Sequence, residues 1–232
     1  MTIDPDRFRM LAQIAARIAD PASRAVSESI EVARAAGFST EMIAETILQG
    51  IPYSGFPGAV EALGALRGGA SGTCEKNQST PAGEPNARQQ KHDDPPPAFV
   101  AVYREGSDAV RSALRARHPD LERWILDFAY GEVMGRGILT LAELEGLAVA
   151  SLLAQRRKTP LHSHLRGALR NGWSAEALST LLRHLEPEAD PEILAFARAV
   201  VAREGHVARE GHVAREDHVS RERPVAEGSE ES

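Results

Sequence analysis

A chain of 232 residues, 42% hydrophobic and 26% charged, has ordinary globular composition and is long enough for one larger domain or two small lobes. Its formal net charge of −6 argues against nucleic-acid binding, which needs clustered Lys and Arg, and no apolar run approaches the roughly 20 residues of a membrane span. One cysteine, Cys74, excludes an internal disulfide framework and a four-thiolate metal site.

The opening MTIDPDRFRM lacks the apolar core of a secretory signal, so a cytoplasmic location is expected. Aromatic residues make up only 5% while Ala and Leu abound, which favours closely packed helices over sheets. Phe8, Leu11, Ala12, Ala15, Ile18 and Ala19 follow helical spacing. Val26, Ile30, Ala33 and Arg34 mark a second helix that stops at Gly37, a natural residue just past a helix end. Ser39 caps a third, with Glu41 in its first turn and Ile43, Ile47 and Leu48 along it. A fourth runs from about Gly58 to Leu66. Between the third and fourth lies Tyr53-Ser-Gly-Phe56-Pro57. Its two rings, framed by Gly and Pro, read either as plugs at a helix corner or as the wall of a cleft.

Residues 68–98, GGASGTCEKNQSTPAGEPNARQQKHDDPPPA, are too polar and Gly/Pro-rich to bury a core and read as a flexible linker. It separates an N-terminal lobe, residues 1–67, from a C-terminal lobe, residues 99–203. Phe99, Val100, Tyr103, Val110 and Leu114 resume helical spacing, which breaks at His118-Pro119. Leu121, Trp124, Ile125, Phe128 and Val133 follow. Thr140 then opens an apolar helix, LTLAELEGLAVASLLA, before LHSHLRGALRNG, WSAEALSTLLRHL and PEILAFARAVVA. Residues 204–232 form a low-complexity tail with hexapeptide repeats such as AREGHV. Six residues turn a helix by about 240°, so the repeated His would diverge, and the tail reads as solvated rather than metal-binding.

An internal repeat runs across the linker. SIEVARAAGFSTEMI (29–43) aligns without gaps with HLRGALRNGWSAEAL (164–178): Ala33 with Ala168, Gly37 with Gly172, Phe38 with Trp173, Ser39 with Ser174 and Glu41 with Glu176. Each copy reads helix, Gly stop, aromatic, Ser cap, helix. This points to two related helical lobes.

Two residues stand out chemically. Glu143 shares a face with Leu147, Ala150 and Ala154, where burial would raise its pKa toward that of a useful acid or base. His164 shares a face with Leu161 and Ala168 and could reach Glu143 if the two helices pack. The competing reading is structural: Thr140-Leu-Ala-Glu143 is a capping box, and His164 is an ordinary helix histidine. His162 points elsewhere on the helix from His164, and no pair among His162, His164 and His184 has the i,i+4 spacing of helix-borne metal ligands, so no metal is expected.

AGFSTEMIAETILQGIPYSGFPGAVEAL, HPDLERWILDFAYGEVMGR and LTLAELEGLAVASLLA with LHSHLRGALRNG together resemble the carboxymuconolactone decarboxylase family, whose fold is shared with alkylhydroperoxidase D-like proteins. The resemblance implies an all-α fold of two related helical lobes and assembly into trimers or hexamers. It implies either cofactor-free decarboxylation of a lactone acid or thiol-based peroxide reduction. The peroxidase motif would place its cysteines at Arg157 and Pro160, where no thiol stands. Peroxide reduction, through those positions or through Cys74 in the linker, is therefore disfavoured. The Arg expected before the acid is Ala142. What remains is a homo-oligomer without cofactors, in which Glu143 and His164 act as acid and base. Tyr53, Phe56 and Pro57 would hold a small carboxylated or lactone substrate. The alternative is a non-catalytic helical oligomer that kept the fold and lost the site.

Overall fold

A computed structural model describes residues 3–205 apart from positions 21, 24 and 69–93. Cys74, most of the expected linker and the tail beyond Gly205 lie outside the described residues, among which all regular structure is helical. The first four helices are α1 (Pro5–Ala19), α2 (Val26–Ala35), α3 (Thr40–Gln49) and α4 (Ile51–Gly68). After position 93 come α5 (Pro97–Tyr103), α6 (Ser107–Arg117) and α7 (Pro119–Trp124), which runs into a π-helical segment, Ile125–Val133. α8 (Leu141–Ala154), α9 (Lys158–Arg170), α10 (Ala175–His184) and α11 (191–205) complete the fold.

α8 is the centre. Leu144 through Leu153 are all buried, as a helix apolar on every side must be. α1 lies along one flank and α9 along another. Small residues permit the close approach: Ala12, Ala15 and Ala16 on α1 are fully enclosed, and Ser151 Oγ donates to the Ala15 carbonyl at 3.4 Å. One continuous core takes Ile30, Ile43 and Ile47 from the first part of the chain and Leu165, Leu178 and Leu181 from the second. The two expected lobes thus share it.

The repeated turn is built the same way twice. Gly37 and Gly172 adopt left-handed φ values of 82° and 126°, where a Cβ is penalised. The next residue folds back: Phe38 N–H donates to Ala33 O at 3.1 Å, and Trp173 N–H to Ala168 O at 3.0 Å. These are the 6→1 bonds of a Schellman motif. Ser39 and Ser174 then accept from Met42 N–H and Ala177 N–H at 3.1 and 3.0 Å, capping α3 and α10.

The fourth helix begins earlier than its sequence pattern predicts. Ile51 to Ser54 are already helical, and the break falls inside, at Gly55, with φ 77° and ψ 174°. The π-helical segment after α7 has no counterpart in the apolar pattern, which reads there as one continuous helix.

The α6–α7 hairpin is tied by an internal carboxylate. Glu122, 5% exposed, accepts from Arg111 Nε at 3.0 Å and from Arg115 Nε at 2.6 Å. The Arg115 hydrogen bond holds its carboxyl below the usual range. A carboxyl whose folded pKa is depressed contributes stability above its unfolded pKa of about 4.3 and loses that contribution as pH falls through the folded value. Glu122→Gln is therefore expected to lower the melting temperature clearly at pH 6, with the gap to wild type narrowing toward pH 3. A gap independent of pH, followed by thermal denaturation, would contradict this.

Candidate functional site

The polar centre of the molecule lies where α8 meets α9. A helix buried on all sides has no wet face for a charged side chain, so Glu145, in the second turn of α8, is 0% exposed. It is met by His164 of α9, 6% exposed, on a face otherwise lined by Leu161, Leu165 and Ala168. His164 Nδ1 lies 3.3 and 3.2 Å from the two carboxylate oxygens. A carboxylate accepts through its oxygens, so the tautomer that fits this contact carries its proton on Nδ1 and leaves Nε2 for exchange. Gly167, one turn along α9, makes the room: a Cβ there would stand 2.1 Å from Glu145 Oε2.

Of the three tyrosines of the chain, one packs against this pair and the other two against each other. Tyr53 of α4 presents its ring edge-on to the His164 imidazole, with centroids 5.8 Å apart and planes at 80°. Gln155 Nε2, just past α8, donates to the Tyr53 carbonyl at 2.6 Å and fixes that stretch. Tyr130, from the π-helical segment, donates its hydroxyl to Tyr103 Oη at 3.3 Å, with Phe99 packed against both rings. Burial, followed by the nearby Glu145 charge, pushes the Tyr53 phenol well above its ordinary pKa. Burial raises Tyr130 and Tyr103 in the same direction, so all three phenols keep their protons at neutral pH.

Glu143 is not brought to His164. Its carboxylate turns back to accept from Thr140 N–H at 2.8 Å and Thr140 Oγ1 at 2.7 Å, closing a capping box. The physical reason is helical geometry. Position N3 faces the helix start, and two residues further on the side chain leaves about 200° around the axis, toward α9. The acid beside the imidazole is thus Glu145 rather than the expected Glu143. The signal for it was the continuous apolar run around position 145, not a single apolar face.

The aromatic corner divides at Gly55. Tyr53 faces inward, whereas Phe56 is 61% exposed and packs on Phe128, with centroids 5.9 Å apart. Pro57 is exposed and lines a separate cleft of about 550 Å³ with Arg17, Ser54, Gly58 and Gln155. His162 pairs with Arg203 and His184 with Asp6, each away from His164. Among the described residues no group of three or more His, Cys, Asp or Glu side chains has metal-binding geometry, and no single helix is long and apolar enough to cross a membrane.

An all-α protein with a carboxylate–imidazole pair enclosed between two central helices is the class these observations define. Residues 119–202 match the model of the Carboxymuconolactone decarboxylase family, and the chain carries a domain of that family. The matched stretch holds Tyr130, Glu145 and His164, while Tyr53 and Tyr103 lie outside it. No curated protein matches the chain.

Proposed function

We propose that this carboxymuconolactone decarboxylase-like protein is a cofactor-free acid–base catalyst. It would act on a small carboxylated or lactone substrate by decarboxylation or a related lyase step. The observation that carries the reading is the enclosed Glu145–His164 pair with Tyr53 at the edge of the imidazole. Glu145 fixes the Nδ1–H tautomer of His164 and stabilises the imidazolium. In decarboxylation the electrons of the breaking C–C bond pass into an enolate as carbon dioxide leaves, and the Nε2 proton of the imidazolium then moves to the substrate carbon. A low-dielectric setting strengthens each of these interactions. The Tyr53 phenol, held protonated beside the imidazole, would donate to substrate. Phe56 and Pro57 stand apart from it.

The duplicated Gly–aromatic–Ser turn supports two related lobes. Exposed Phe56, Val60, Trp124 and Phe128 support a homo-oligomer, which is also the setting of the second reading, a non-catalytic assembly. The single cysteine agrees with a cytoplasmic location. No thiol stands at Arg157 or Pro160, which disfavours peroxide reduction through those positions.

Assaying the purified protein on a panel of γ-lactone carboxylic acids is expected to show turnover. Glu145→Gln and His164→Gln should each lower it by about 100-fold or more, while Glu143→Gln should leave it near wild type. Turnover undiminished in the first two variants would reject the catalytic roles and leave the non-catalytic reading.

A further inference from the structure

In an α-helix a carbonyl accepts from the N–H four residues further on. For Tyr53 that residue is Pro57, which has no N–H to give. The backbone also turns away between the two, at Gly55, with φ 77° and ψ 174°. The stretch Tyr53-Ser-Gly-Phe-Pro57 therefore strips the Tyr53 carbonyl of its helical partner. The donor that replaces it comes from 102 positions along the chain: Gln155 Nε2 donates to Tyr53 O at 2.6 Å. A carbonyl oxygen only accepts, so the amide has to turn its NH₂ group toward it.

Ile51 to Ser54 form a single turn between two glycines, and one turn of helix has little stability of its own. Ser54 Oγ and Ser54 N–H both donate to Gly50 O, at 2.8 and 2.9 Å, and close the turn on itself. Gly50 and Gly58 let it lie against α1, since Cβ atoms there would stand 3.8 and 3.1 Å from Ile18 Cγ2. Gln155 ties the same turn to α8, of which it is the C-cap residue. The contacts then close a circuit. Glu145, in the second turn of α8, meets His164 of α9 at 3.2 Å. His164 meets the Tyr53 ring, with centroids 5.8 Å apart, and the Tyr53 carbonyl returns to α8 through Gln155. One helix thus grips the imidazole through its carboxylate and the ring beside that imidazole through its last amide.

We propose that Gln155 is a positioning residue: by supplying the hydrogen bond that Pro57 withholds, it sets the Tyr53 ring against the His164 imidazole. A tyrosine side chain has only two torsions, so fixing the backbone at its root governs where the ring and its hydroxyl point. Pro57 acts in this arrangement by leaving the carbonyl open, not by touching a substrate. The consequence for turnover rests on the acid–base reading of the pair; the placement of the ring does not.

The test is the nuclear Overhauser effect between the Tyr53 ring protons and the carbon-bound imidazole protons of His164, measured on the full chain with labelled tyrosine and histidine. Tyr53→Phe and His164→Gln assign the two sets of signals. Gln155→Leu keeps much of the bulk and removes the donor, and the effect is expected to be lost. Gln155 also lines the cleft of about 550 Å³, so water can take over the carbonyl, and the melting temperature should stay close to wild type. Ser54→Ala is the control: it loosens the same turn at Gly50, away from the Tyr53 carbonyl, and should leave the effect in place. An effect unchanged in Gln155→Leu, or lost equally in Ser54→Ala, would overturn the proposal. Should Gln155→Leu fail to fold, Gln155→Glu decides in its stead: at neutral pH its carboxylate has no proton to offer the carbonyl, so loss of the effect supports the proposal and its survival overturns it. In the lactone-acid assay, Gln155→Leu should lower kcat by about 10-fold or more with KM little changed. A lost effect beside undiminished turnover would uphold the positioning and remove the Tyr53 phenol from the reaction.

Discussion

Gly167→Ala will lower the melting temperature and separate Glu145 from His164. In an ordinary exposed helix, Gly to Ala is worth up to about 1 kcal/mol in favour of folding. Here the added methyl would meet Glu145 Oε2 at 2.1 Å and Cδ at 2.8 Å. Glu145 is 0% exposed, so its carboxylate has no solvent to retreat into. Overpacking of this kind costs about 1–3 kcal/mol, and a displaced, unpaired buried charge costs several more. The clash outweighs the helix preference, and a net loss of about 2 kcal/mol or more is expected. For a fold of this size that is a drop on the order of 5 °C. The Nδ1 proton signal of His164 should shift at the same time. Gly64→Ala is the control: its Cβ meets nothing within 4 Å, and it should be neutral or stabilising. A Gly167→Ala protein that melts at or above wild type, with its His164 signal in place, would show that α9 does not approach the carboxylate as described.

Trp173→Ala is expected to cost still more. The indole is 3% exposed, meets the Phe8 ring edge-on with centroids 5.3 Å apart, and donates from Nε1 to Ala142 O at 2.8 Å. Removing it opens a cavity between α1 and α8, where Phe8 and Trp173 both press on Gly146. Large aromatic truncations in such cores cost about 3–5 kcal/mol, a fall on the order of 10 °C in melting temperature. Phe38, its counterpart in the other copy of the turn, sits nearer the surface with Arg7 stacked 4.7 Å from its ring centroid. Phe38→Ala should therefore cost less. Equal losses at the two positions, followed by calorimetry, would mean that the repeated turns carry equal burial and that the α1–α8 seam has no special weight.

Much of the architecture was legible because it rests on local chemistry. Ser39, Thr140 and Ser174 are caps by residue type and position, and each accepts the hydrogen bond expected of it. Gly37 and Gly172 stop helices because left-handed backbone favours glycine. The aligned Ala33 and Ala168 accept the matching turn bonds. The identity of the acid beside His164 depended on something less local. Glu143 and Glu145 sit two positions apart on one helix, and a single apolar face favoured the first. Only the packing of α8 against neighbours on all sides places the second in the interior. Tyr103 reads in sequence only as a member of an apolar pattern and Tyr130 is not singled out there, because the π-helical rewinding and the left-handed φ of Arg104 leave no compositional trace. The partition of Tyr53 from Phe56 depends on the backbone of Gly55, which the pattern Tyr-x-Gly-x-Pro allows but does not dictate.

The seam between α1 and α8 bears on how the site comes into being. Ser151 and Ala15, which touch across it, are 136 positions apart in the chain, and Gln155 reaches Tyr53 across 102. Pairings so distant must wait for large loops to close, an entropic toll that slows folding. Local helix formation can proceed without them, so the dry environment around Glu145 is a late product of maturation. Until α1 and α4 have docked, the carboxylate and the imidazole stay hydrated and lack the setting that would give them chemical purpose.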